Sequence, residues 1–299
     1  MARKIILLDA PSNLGLRPPA EGVVPGCYKL PWALRDRSLL STLGAEDGGS
    51  LVPPRYDPVY KPGEGDRNAE AIASFSARLA DRLAALRRSD TLVVVLGGDC
   101  SILIGAMLSL KRHGRYGLVF LDAHSDFRHP QNASAIGAAA GEDLAIVTGR
   151  GDARLIAMEN LGPYVCAEDV HIVGVRPFDT YLRELAATQM KVMTSLELSA
   201  RASGALAEVL ETVTRETDGF WIHLDLDVVD AAEMPAVDSP EAQGLSFGAL
   251  SRLLSGLLAS PKCVGMELTI YDPDLDSEGL CAERIVACLA EAFAALTAA

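Results

Sequence analysis

The stretch Gly117-Leu-Val-Phe-Leu-Asp-Ala-His-Ser-Asp126 is apolar for five residues and then turns abruptly polar. An apolar run without polar alternation suits a strand covered by helices on both faces, as in a parallel sheet. Its polar tail falls where a parallel sheet binds ligands, beyond the carboxyl end of a strand. The same pattern recurs outward from it. Thr91–Leu96 runs into Gly97-Gly98-Asp99-Cys100-Ser101, Gly219–Leu224 runs into Asp225-Leu226-Asp227, and Lys262–Met266 ends on Glu267. Four acidic strand tips on one edge repel one another unless cations sit among them.

Further strands are expected at Lys4–Leu8, Asp169–Val175 and Lys191–Met193. Amphipathic helices are expected at Asn68–Arg88, Ser101–Arg112, Thr180–Gln189, Ala202–Glu216, Ser246–Leu258 and Ala282–Leu296. Strand–helix alternation along the whole chain predicts one doubly wound α/β domain over residues 1–299. The Pro- and Gly-rich segment 44–65 reads as a surface connection.

The chain has 299 residues, 49% of them hydrophobic, ample for a large core. A net charge of −13 argues against nucleic acid or an anionic membrane as partner. The N-terminal apolar run, Ile5–Leu8, is too short for a signal peptide, and no stretch approaches the roughly 20 apolar residues of a membrane span. A soluble, cytoplasmic protein is expected. The six cysteines are scattered, with no C-x-x-C pair, so reduced thiols are the default.

In an extended chain, positions two apart point the same way. Asp122, His124 and Asp126 can therefore face one pocket, as can Asp225 and Asp227. Carboxylates with one imidazole suit hard or borderline divalent ions such as Mn²⁺, and a carboxylate can bridge two of them. A single D-x-D on a loop is more often a solvated turn; the recurrence at successive strand ends argues for metal. Of the other histidines, His113, His171 and His223 read as surface or strand residues without a metal role. His129, just past the metal loop, is kept as a site candidate.

With these residues in view, the sequence resembles the arginase–agmatinase (ureohydrolase) family. The motifs GGDCS (97–101), DAHSD (122–126) and DLDVVD (225–230) are similar to the family's, as are the glutamate strand GMELTIYDP (265–273) and the loop VRPFD (175–179). The resemblance implies a three-layer α/β/α sandwich with a mainly parallel sheet, assembled as trimers or hexamers. It implies two divalent ions, Mn²⁺ first, cleaving a C–N bond of a small guanidino compound. One ion takes Cys100, Asp122, Asp126 and Asp225; the other takes His124, Asp122, Asp225 and Asp227. Asp122 and Asp225 bridge, and an activated water is the nucleophile. Glu267 is expected to pair with the guanidinium and Asp179 to hold the substrate's amino end. Arg128, if it faces the pocket, replaces lost carboxylate contacts; a solvent-exposed loop arginine is the alternative.

Two departures bear on the substrate. The family's first histidine ligand is Cys100 here, and thiolate softness tilts selectivity towards Zn²⁺ or Fe²⁺; a thiol that binds nothing, leaving the first site half-empty, is the alternative. The family's shuttle histidine falls on Ala140 and its carboxylate-reading asparagine on Ala138. Losing a shuttle hinders protonation of the leaving amine, a contribution typically of ~100- to 10,000-fold. Both features are similar to the branch that hydrolyses hydroxyarginine and releases hydroxyurea. The alternatives are that branch and a non-catalytic protein of the same fold.

Overall fold

A computed structural model describes residues 3–133, 135–201 and 204–297, and its centre is one eight-stranded sheet. The strands are β1 (Lys4–Asp9), β2 (Glu46–Ser50), β3 (Thr91–Leu96), β4 (Tyr116–Leu121), β5 (Val170–Val173), β6 (Lys191–Met193), β7 (Gly219–Asp225) and β8 (Cys263–Thr269). All pairings are parallel, in the order β2-β1-β3-β8-β7-β4-β5-β6. The helices are α1 (Leu30–Asp36), α2 (Leu39–Thr42), α3 (Ala69–Leu86), α4 (Ile102–Lys111), α5 (Asp143–Val147), α6 (Leu182–Leu185), α7 (Ser195–Ala200), α8 (Ala205–Thr214), α9 (Phe247–Ala259) and α10 (Leu280–Thr297). Among the described residues no helix is long and apolar enough to cross a membrane.

Strand alternation sends successive side chains to opposite faces, and two cores result. Phe220, Ile222, Leu224, Met266 and Leu268 pack with α8, α9 and α10. Val93, Val95, Leu118, Phe120 and Trp221 pack with α3, α4 and α5 on the other face. This is the expected three-layer sandwich. The last two strands enter between β3 and β4, which brings the ends of β7 and β8 beside the loops that follow those two. His223 therefore stands opposite Phe120 on one side and Glu267 on the other.

Three local expectations are corrected. Segment 44–65 contributes β2, a polar edge strand bonded to one neighbour only, so it carries little hydrophobic signal. The helix expected at Thr180–Gln189 contracts to Leu182–Leu185, because Leu185 is the one residue between 180 and 189 that is buried. Helix α1 was not anticipated; Pro31 sits in its first turn, where the missing N–H costs nothing. Of the helix expected from Ala202, residues 202 and 203 lie outside the described residues.

The turn 97–100 is clamped from both sides. Gly98 O accepts from Ile270 N at 2.7 Å, and Asp99 N donates to Ser12 O at 3.1 Å. A Cβ on Gly98 would lie 1.6 Å from Ser12 O, so only glycine lets the two backbones meet. Gly98→Ala is expected to lower stability by about 1–3 kcal/mol in chemical denaturation and to weaken metal uptake. An unchanged denaturation midpoint would contradict this packing.

Candidate metal centre

The site is built at the carboxyl ends of β3, β4, β7 and β8. Asp227 accepts from Ala123 N at 3.0 Å and faces His124 Nδ1 at 2.9 Å. Asp122 accepts from His124 N at 2.6 Å, and its Oδ1 lies 3.7 Å from His124 Nδ1. Asp122, His124 and Asp227 thus place donor atoms within 4.8 Å of one another, a group able to hold an ion. Asp126, on the same loop, lines the cleft with a left-handed φ of 42° but joins none of the close donor groups found among the described residues. Asp225 accepts a hydrogen bond from Cys100 Sγ at 2.9 Å and one from Asp227 N at 2.8 Å. Cys100 also lies 3.2 Å from Thr269 Oγ1.

Electrostatics follow from this crowding. Burial first, and neighbouring carboxylates second, push Asp122 and Asp225 well above the usual carboxylate range. Burial and the Asp225 charge likewise push the Cys100 thiol up. Asp126 is raised to about 7, again chiefly by burial. Burial opposes charge on both His124 and Asp227, but their contact outweighs it: His124 rises to about 10 and Asp227 falls. Buried acids that cannot ionise cheaply fit divalent cations, which would take the protons' place.

Above this floor opens a cleft of about 350 Å³. Asp126, Asp179, Asp225, Asp227 and Asp238 line it, with Arg17 and Arg128 on its walls. Asp179 accepts from Ser125 Oγ at 2.8 Å, Ser125 N at 3.1 Å and Tyr181 N at 2.8 Å, so its carboxylate is fixed in place. Ala138, Ala140 and Gly141 form another part of the wall. Behind the loops, buried Arg176 donates to the carbonyls of Gly174, Asp227, Val228, Val229, Glu241 and Ala242 and ties the 227–229 and 241–242 segments together. Ile270 enters the cleft at the end of β8 with φ 73°, a conformation costly for a β-branched side chain.

Two sequence-predicted substrate residues are not in the cleft. Glu267 is fully buried in the sheet and takes a 2.8 Å hydrogen bond with His223 Nδ1, because β7 and β8 register these two side by side. His129 is buried, held by Gln131 and by Glu184 at 2.8 Å each. Asp179 and Arg128 do line the cleft. Sequence reasoning missed Arg17 and Asp238, which come from loops without a motif. Cys100, Asp143 and His223 form a further close donor group, which no spacing in the sequence links.

The arginase family's sequence profile matches residues 21–295. The chain belongs to the arginase family. An arginase of Brevibacillus brevis is 30% identical over 233 residues, covering 77% of this chain and 78% of that protein. The solved arginase of Bacillus caldovelox superposes with a TM-score of 0.84 at 25% identity, covering 97% and 98% of the two chains. The proclavaminate amidino hydrolase of Streptomyces clavuligerus shares the fold at 19% identity, with a TM-score of 0.70 and coverage of 97% and 90%. The family depends on a binuclear metal centre, and this hydrolase chain retains clustered donors for one.

The cleft wall has its own acid pair. Glu142 accepts from Gly137 N and Ala138 N, which sets the loop carrying Ala138 and Ala140. Asp66 lies buried beside it; burial first, then the Glu142 charge, raise Asp66 to about 9. Because the folded pKa exceeds the unfolded one, this group stabilises the fold at low pH, and the contribution is lost as pH rises towards about 9. Melting temperature should therefore fall across that range, and Asp66→Asn, which keeps the neutral shape, should flatten the fall. Parallel pH profiles for both proteins would contradict the assignment.

Proposed function

We propose that this chain is a two-metal amidinohydrolase that cleaves a C–N bond of a small guanidino compound, giving urea or a urea analogue and an amine. The observation that carries the reading is a cleft of amino-acid size whose floor is the Asp122–His124–Asp227 group and its neighbour Asp225. Two divalent ions bound there, Mn²⁺ being favoured at the oxygen-rich group, would supply a water of lowered pKa and Lewis acidity. The chain's residues do the rest. Asp179 and Asp238 attract the cationic ends of a substrate, and Arg17 or Arg128 can take a carboxylate. Asp126, on the loop after β4, faces the cleft beside these donors.

A second reading, an N-hydroxyguanidino substrate, is favoured by one observation: methyl groups of Ala138 and Ala140 line the wall, and His124 is the one histidine lining the cleft. A substrate with an ionisable N–OH depends less on a protein proton donor than a plain guanidine does.

Metal-loaded protein assayed with arginine, agmatine, hydroxyarginine and shorter guanidino acids is expected to release urea or hydroxyurea from one of them. Asp227→Asn should lower kcat/KM by at least about 100-fold, and Ala140→His should raise kcat on a plain guanidine by roughly 100-fold. No turnover of any guanidino compound by fully metallated protein would sink the proposal.

A further inference from the structure

Beneath the cleft floor lies a second constellation that no motif announces. Cys100 Sγ, a carboxylate oxygen of Asp143 and a ring nitrogen of His223 lie within 4.8 Å of one another, and so do donors of Asp122, His223 and Asp225. All five side chains are buried. Their atoms are also conspicuously unpaired: His223 Nε2, Asp143 Oδ2 and Asp122 Oδ2 have no hydrogen-bond partner. Each such orphan costs about 1–3 kcal/mol, more for a charged group, so three at one buried point favour an occupant that pairs with them.

The surroundings aim these atoms. Glu267 faces His223 Nδ1 at 2.8 Å and so assigns the proton to that nitrogen, leaving the Nε2 lone pair directed at the group. Phe120 stacks on the imidazole, with ring centroids 4.6 Å apart and planes 16° from parallel, and fixes its plane. Asp143 Oδ1 accepts a hydrogen bond from Leu144 N at 2.7 Å, which leaves Oδ2 for the group. His223 Nε2 and Asp143 Oδ2 are 3.8 Å apart, too far for a hydrogen bond. Donors about 2.0–2.3 Å from a shared tetrahedral ion are separated by a little over 3 Å, so a small closure would seat one.

We propose that one ion of the centre is held by Cys100 Sγ, His223 Nε2 and Asp143 Oδ2, with Asp225 completing the set, and that this site takes Zn²⁺ in preference to Mn²⁺. A donor set of one thiolate, one imidazole and two carboxylates is the mixed sulfur–nitrogen–oxygen environment that suits Zn²⁺, whereas Mn²⁺ prefers oxygen. Binding replaces the Cys100 thiol proton, now donated to Asp225, and releases it to solvent. Glu267 then serves as a positioning residue that orients His223. The assignment deepens the two-ion reading above and rests on it for the second ion, at Asp122, His124 and Asp227.

The test is a Co²⁺ titration of metal-free full-length protein, with metal content and proton release measured in parallel. The expected result is a near-ultraviolet thiolate-to-cobalt charge-transfer band on the first equivalent, abolished in Cys100→Ser. Affinity of that equivalent should drop at least ~10-fold in His223→Ala and Asp143→Asn, and about 10- to 100-fold in Glu267→Gln. Zn²⁺ should displace this Co²⁺, and excess Mn²⁺ should not. Two bound Co²⁺ without a thiolate band would overturn this assignment and leave the hydrolase reading intact. One bound Co²⁺ with the band would support the assignment and sink the two-ion reading. An unchanged spectrum and affinity in folded His223→Ala would also overturn it. If His223→Ala fails to fold, His223→Gln and Asp143→Asn carry the test, and wild-type Co²⁺ affinity in either folded variant would overturn the assignment.

Discussion

The structure turns on the mutual repulsion of carboxylates packed where water is scarce. Two such charges about 4 Å apart repel by roughly 4 kcal/mol at the effective dielectric near a protein surface, and by more when buried. The chain deals with some of them internally. Asp99 takes hydrogen bonds from Ser12 and Ser101, Asp179 from Ser125 and Tyr181, and Asp227 from Ala123 beside His124. Asp122, Asp143 and Glu267 each keep one oxygen without a partner. The unpartnered oxygens of Asp122 and Asp143 lie in the donor groups that could hold an ion. The convergence of β3, β4, β7 and β8 brings these side chains to one place.

Much of this was legible in sequence, for a definite reason. Strands such as Thr91–Leu96 and Gly219–Asp225 are buried on both faces, so their composition announces a parallel sheet. The donors of the cleft floor are consecutive or alternate residues on strand-end loops, so spacing alone groups them. The deeper donors are different: Cys100 follows β3, Asp143 opens α5 and His223 sits inside β7. Nothing in local spacing links three separate elements, and an apolar strand makes a histidine look like a core residue. The contact of Glu267 with His223 escaped for the same reason: their register is a property of the sheet, not of the segment. The polar strand β2 escaped because an edge strand needs backbone pairing and no apolar side chains.

The site's chemistry follows from two layers with different donors. The upper layer is rich in carboxylate oxygen and open to the cleft, where the proposed substrate would lie. The lower layer, with sulfur and imidazole, lies buried beneath it and meets the cleft through Asp225. Methyl groups at Ala138 and Ala140 leave the cleft without a wall histidine, which on the proposed reading moves part of the acid–base demand onto the substrate. On the proposed reading Glu267, fully buried and bonded to His223, positions that ring, and the acids that face the cleft are others, such as Asp179 and Asp238.

The most direct test of the two-layer account is a crystal structure of metal-loaded protein with anomalous data collected at the edge of each metal. The account predicts two peaks: one about 2.3 Å from Cys100 Sγ and about 2.0–2.1 Å from His223 Nε2, the other between His124 and Asp227. A single peak, or an ion near Cys100 that leaves His223 Nε2 uncoordinated, would contradict it.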